Sequence, residues 1–304
     1  MPHLSTIAAK QLVKAMGIKQ RLERIAAVDG DPEQLSLLVA KLRRTDRPHP
    51  SRRLRRQWSV ETSEVVGHPL HLLTRPSDGG RRVILYLHGG GYMFGPFPTE
   101  WAACSRVAEA TSCDFALYVY PKVPEHQAQE TVDAAMSCYS ILEERYGADN
   151  VVLMGTSAGG ALALVLLTQL RDAGRPSPRT AVLISPGVDM TLAEPVDHLA
   201  DGDVLLAAAH VRSAGRLYAG DLGPDHPFVS PTNAELSGLP RLQVFVATDE
   251  ILYPSLITFA ERARTAGVDL EMVVGEDQQH TWPLVPTGDG RLALRQIIDF
   301  IGTP

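Results

Sequence analysis

Ser157 is the residue in this chain best placed to act as a nucleophile. It lies in Gly155-Thr156-Ser157-Ala158-Gly159-Gly160, after the apolar run Val151-Val152-Leu153-Met154 and before a long apolar stretch, 161–167. That order reads as strand, sharp turn and helix. It is the G-x-S-x-G elbow, in which a strained turn lifts a serine hydroxyl above the edge of a sheet. A free serine is a weak nucleophile, and one held beside a base is activated. Small residues suit the turn because bulk there would strike neighbouring strands or helices. Taken alone, the hexapeptide fits equally well a glycine-rich turn with an incidental serine.

A second motif bears on that choice. His88-Gly89-Gly90-Gly91-Tyr92 follows 82–87, a β-branched and apolar run that reads as a buried strand. When a serine attacks an ester carbonyl, negative charge develops on the carbonyl oxygen. Backbone N–H groups aimed at that oxygen stabilise it by on the order of 3 kcal/mol each. The candidate donors are the amides of Gly90, Gly91 and Ala158, the last being the residue after the nucleophile. A phosphate loop would need a Gly-Lys-Ser/Thr sequence opening a helix, and a dinucleotide loop a G-x-G-x-x-G. Here Tyr92, Phe94, Gly95 and Pro96 follow instead, which is no helix start. His88 precedes the serine at a strand end and reads as a residue that shapes the loop.

HGGGY at 88–92 and GTSAGG at 155–160, in this order, resemble the hormone-sensitive-lipase-like branch of the α/β-hydrolases. Tyr120-Pro121-Lys122-Val123-Pro124-Glu125-His126 is similar to that family's Y-R-L-A-P-E-H segment. Asp225-His226-Pro227-Phe228-Val229-Ser230-Pro231 and Leu236-Ser237-Gly238-Leu239-Pro240 resemble its stretch before the acidic strand. The resemblance runs from about residue 80 to the C-terminus. The departures are Thr156, where the family usually has Asp, and Lys122, where it often has Arg.

The triad of such enzymes runs Ser, Asp/Glu, His along the chain. Downstream of Ser157, the strand at 242–247 ends at Thr248-Asp249-Glu250. The resemblance favours Asp249 as the acid, in a segment the family writes D-x-L. Chain order admits Glu250 equally, and Asp249 could merely cap the helix near Tyr253. His280 follows the strand at 270–274, on a loop before the final helix, with Trp282 where the family often has Phe. It is the expected base; a solvated loop histidine is the alternative. His198 and His210 lie in an Ala/Leu-rich insertion, and His226 precedes the acid.

The remaining chain sets bounds. With 304 residues, 44% hydrophobic and 21% charged, it fits one large α/β domain. A formal charge of −6 carries no global basic footprint for nucleic acid. Cys104, Cys113 and Cys138 have no metal-ligand spacing and would leave one thiol over in a disulfide framework; they read as reduced, which fits a cytoplasmic location. Residues 1–20 lack the apolar core of a signal peptide, and no stretch approaches the roughly 20 apolar residues of a membrane span.

Residues 1–45 read as two helices, which the resemblance makes part of a cap, and 41–56 as a basic connector punctuated by Pro48 and Pro50. That divides the chain into 1–56, cap segment and linker, and 57–304, hydrolase core, with a helical cap insertion at about 190–222. Eight strand-like runs alternating with helices argue a mostly parallel sheet covered on both faces. The expected architecture is an α/β-hydrolase fold with a helical cap.

The chemistry implied is that of a serine carboxylesterase acting on small, short-chain esters. A lactone or acetyl hydrolase with the same triad is the nearest alternative, and a non-catalytic ligand-binding relative is one of another class. No cofactor or metal is required. The resemblance also admits a homodimer. Tyr92, Phe94 and Trp282 are candidate walls of the substrate pocket, with core packing as the equal alternative.

Overall fold

The computed structural model describes residues 4–75 and 81–302; the outer ends of the two expected segments, 1–3 and 303–304, lie outside them. Four helices come first: α1 (Leu4–Ala15), α2 (Ile18–Ala27), α3 (Pro32–Leu42) and α4 (Arg52–Gln57). The strands are β1 (Ser59–Val65), β2 (His68–Thr74), β3 (Val83–Leu87), β4 (Asp114–Tyr118), β5 (Val151–Thr156), β6 (Thr180–Ile184), β7 (Arg241–Ala247) and β8 (Leu270–Gly275). The helices between and after them are α5 (Pro98–Thr111), α6 (Ala128–Tyr146), α7 (Ala158–Asp172), α8 (Asp197–Ala200), α9 (Ala208–Ala219), α10 (Tyr253–Thr265) and α11 (Gly288–Gly302). The strands form one sheet, ordered β1-β2-β4-β3-β5-β6-β7-β8. β2 is antiparallel to β1 and β4, and the other pairings are parallel. This is the expected α/β-hydrolase architecture.

The period-2 alternation of strands sorts the core into two layers. Ile84, Val152, Val182 and Phe245 pack with Trp101, Val107, Ile297 and Phe300 of α5 and α11. Leu85, Leu153, Leu183 and Val244 pack with Val132, Leu142, Leu162 and Leu166 of α6 and α7. Every residue of β3, β4, β5 and β6 is buried, as strands covered on both faces require. The C-terminal ends of β3, β5 and β7 therefore reach one rim of the sheet together.

Three expectations are corrected. Residues 4–42 fold as three α-helices, not two: Asp31 accepts from the amides of Glu33 and Gln34 and, with Pro32 next, starts a separate helix. The basic connector contains a helix, α4, capped by Ser51 and anchored by buried Leu54. The insertion is α-helical only in α8 and α9. Asp189 and Asp203 turn their carboxylates onto nearby amides, those of Thr191 and Ala193 and those of Leu205 and Leu206. Such side-chain turns compete with helix, whatever the Ala/Leu content. The insertion meets the N-terminal helices directly: α2 packs on α9, Arg216 pairs with Asp29, and the Lys19 ammonium donates to the Asp203 carbonyl at 2.9 Å.

Candidate active site

Ser157 stands between β5 and α7 with φ 54° and ψ −121°, a backbone state that an L-residue holds only when its surroundings enforce it. The enforcement is visible. Its N–H donates to the Ile184 carbonyl at 2.8 Å, and its carbonyl accepts from Ala161 and Gly187 at 3.1 and 3.2 Å. The hydroxyl is left pointing at His280, whose Nε2 lies 3.0 Å from Ser157 Oγ.

His280 is 2% exposed. The loop carrying it is pinned just after the ring: the Thr281 amide donates to Ser185 Oγ at 3.1 Å, and the Trp282 indole N–H donates to the Val246 carbonyl at 3.2 Å. The carboxylate on His280 Nδ1 belongs to Glu250. The other Glu250 oxygen accepts from the Ala247 amide at 2.9 Å, so the side chain folds back over the end of β7 and is fully buried.

Asp249 does not meet His280. It turns outward, about one-third exposed, pairs with Lys10 of α1, and lines a cleft of about 290 Å³ with Lys10, Lys14 and Asp277. The expectation that Asp249 is the acid beside the histidine is therefore corrected: the carboxylate that meets His280 is Glu250. A signal was present in the sequence. Glu250-Ile251-Leu252 keeps the leucine two places after the acid, the spacing of D-x-L, whereas Asp249 is followed at that distance by Ile251.

The glycine loop lies against the serine: a Cβ on Gly89 would sit 3.4 Å from Ser157 Cβ. Gly90 has φ +116°, and a Cβ there would meet the Phe94 carbonyl carbon at 2.6 Å, so only glycine fits. Ala158 is the first residue of α7, where helical N–H groups lack intrahelical acceptors and the helix dipole favours negative charge. Gly89 of the loop and Ala158 of α7 thus border the serine.

His88 shapes the loop as expected. It is fully buried, its Nδ1–H donates to the Gly89 carbonyl at 2.8 Å, and its ring stacks on Tyr120 at 4.2 Å. Burial holds its pKa well below the ordinary value, so it stays neutral. Lys122 donates to the Gly95 carbonyl at 2.7 Å. Thr156 is buried, with its hydroxyl 2.7 Å from that of Tyr86.

The three candidate pocket aromatics are all buried. Trp282 belongs to the core layer under α5 and α11, with its ring edge-on to Phe245. Tyr92 is stacked on Tyr218 at 3.6 Å, and Phe94 is buried in the opposite layer.

The insertion brings two residues that the sequence did not assign to the site. Asp203, 1% exposed, accepts from the Ile251 amide at 3.0 Å, beside Glu250; burial pushes its pKa up, and the His280 ring nearby opposes that shift. His210 of α9 presents Nε2 3.4 Å from where a Gly91 Cβ would stand, and burial holds its pKa at about 4. Neither lies near the elbow or the acid in the sequence, so no local motif announces it. Among the described residues, no group of three or more His, Cys, Asp or Glu could hold a metal ion, and no helix is long and apolar enough to cross a membrane.

The chain has counterparts among known proteins. A family model described as an alpha/beta hydrolase fold matches residues 84–284, more than half of the chain. An acetyl-hydrolase from Streptomyces hygroscopicus is 32% identical over 246 residues, covering 79% of this chain and 81% of its own. Among solved structures, an esterase from the bacterial hormone-sensitive lipase family is 29% identical, with a TM-score of 0.77, 93% of this chain covered and 98% of that one. An esterase/lipase from an uncultured bacterium is 25% identical, with a TM-score of 0.82, 99% of this chain covered and 98% of that one.

Proposed function

Because this chain belongs to the α/β-hydrolase fold family, with hormone-sensitive-lipase-type esterases among its structural relatives, we propose that it is a serine carboxylesterase acting on small, short-chain esters. The observation that carries the reading is the unbroken line Glu250–His280–Ser157 beside the glycine loop. His280 Nε2 takes the Ser157 proton as Oγ attacks the ester carbonyl. Glu250 holds Nδ1 protonated, so that Nε2 is the free acceptor, and it stabilises the imidazolium that forms. The amides of Gly90, Gly91 and Ala158 receive the oxyanion. His280 then returns the proton to the departing alcohol. Water, deprotonated by His280, releases the acid from the acyl-serine.

In this reading α1–α3 and the insertion around α9 act together as the cap, supported by the packing of α2 on α9. Three buried, unpaired thiols support a reducing, cytoplasmic setting. Acetyl esters are the first substrates to try, given the acetyl-hydrolase relative. The test is hydrolysis of p-nitrophenyl esters from acetate to palmitate by wild type and by Ser157→Ala. Short esters should be cleaved, and the variant should lose roughly a thousandfold or more in kcat while keeping its circular dichroism. No hydrolysis of any ester by folded wild type, or a fully active Ser157→Ala, sinks the reading.

A further inference from the structure

Glu100, in the first turn of α5, is 1% exposed and takes no part in the proton relay. Its Oε2 accepts from the Phe97 amide at 2.7 Å, an ordinary cap of its own helix. Its Oε1 leaves the helix. It accepts from the Gly89 amide at 2.6 Å and lies 3.0 Å from the Tyr86 hydroxyl. That hydroxyl also lies 2.7 Å from Thr156 Oγ1. Tyr86 has one proton; the carboxylate is the stronger acceptor, and Thr156 can donate in turn to the Tyr86 oxygen. The result is one buried chain: Gly89, Glu100, Tyr86, Thr156.

The ends of that chain matter. Gly89 immediately precedes Gly90, and Thr156 immediately precedes Ser157. The amides proposed for the oxyanion come from two separate loops, one after β3 and one after β5. Oxyanion stabilisation depends on donors standing 2.7–3.1 Å from where the charge will be. A cap needs only Oε2. Keeping a carboxylate this deep costs desolvation, which pushes its pKa up, and three donors around it offset that cost.

We propose that Glu100 is a positioning residue that, through Tyr86 and Thr156, fixes the glycine loop relative to the nucleophile elbow. The proposal rests on the esterase reading above. It predicts that loosening the chain weakens transition-state binding more than substrate binding.

The test compares wild type, Glu100→Gln and Tyr86→Phe on p-nitrophenyl butyrate, with active sites titrated by a fluorophosphonate. Wild type that neither hydrolyses the ester nor reacts with the phosphonate fails the esterase reading, and the proposal falls with it. With wild type active, Glu100→Gln should lose on the order of 10- to 100-fold in kcat per titrated site. A glutamine has one oxygen and cannot accept from both Gly89 and Phe97. KM should stay within about twofold, and affinity for an alkyl trifluoromethyl ketone should fall by the same factor as kcat/KM. Tyr86→Phe should shift the same quantities less, and it decides the matter if Glu100→Gln does not fold. A lower Tm with kcat per site unchanged makes Glu100 a helix cap only and overturns the proposal.

Discussion

The two halves of this site are built differently. The elbow and the glycine loop are backbone constructions: what they require is the absence of side chains. A Cβ on Gly159 would run into the carbonyls of Leu87 and His88, and one on Gly90 into Phe94. The acid turn and the insertion around α9 are side-chain constructions. Asp249 and Glu250 are adjacent and chemically alike, yet one reaches Lys10 at the surface and the other is sealed against His280. A motif made of glycines carries its geometry with it. A carboxylate acquires its role from whatever the fold sets beside it.

The contrast can be broken most severely at Gly159. Gly159→Ala pushes a methyl into backbone carbonyls that have no flexible end to swing away. It should cost about 3 kcal/mol in urea unfolding and remove ester hydrolysis. An alanine variant of wild-type stability and rate means that the backbone half is not so constrained.

Next in size is the carboxylate pair. Glu250→Gln leaves either the Ala247 amide or His280 Nδ1 without its acceptor, and kcat should fall by roughly 10²- to 10⁴-fold. Asp249→Asn loses a partly exposed ion pair; the rate should hold within about threefold and stability within about 1 kcal/mol. Equal losses in both variants return Asp249 to the triad.

The smallest effect concerns His210, on α9 of the insertion. Burial lowers its pKa to about 4 from 6.5. Between those values the unfolded chain binds a proton that the folded chain refuses. The contribution is fully present above about pH 6.5 and drains as pH falls toward 4, by on the order of 3 kcal/mol. His88, also depressed by burial, acts with the same sign, while Glu100, Asp46 and Asp203, pushed up by burial, act with the opposite one. The informative quantity is therefore the difference between wild type and His210→Gln in Tm from pH 7 to 4.5. The variant should lose less of its Tm on acidification. Equal losses place His210 outside the buried set.

Strand positions, the elbow, the glycine loop and the histidine that meets Ser157 were legible in the chain because each is written locally. Apolar runs of five to seven residues bury themselves in any α/β sheet, glycines mark where backbones must touch, and chain order points to the histidine after the last strand. The helical reading of the insertion failed for a local reason too, since Asp189 and Asp203 bend it with their own carboxylates. The choice of Glu250 over Asp249 was of another kind. It turned on which carboxylate meets a ring 30 residues further along and which meets a lysine on the first helix. The sequence by itself determined the sheet, the serine and the loop facing it, because exclusion of side chains is a short-range property. Tertiary structure alone decided which acid serves the histidine, that Trp282 is core, and that Glu100 bridges the two loops. Those depend on contacts between residues far apart in the chain; the leucine two places after Glu250 is a local trace of the acid, but the fold makes the contact.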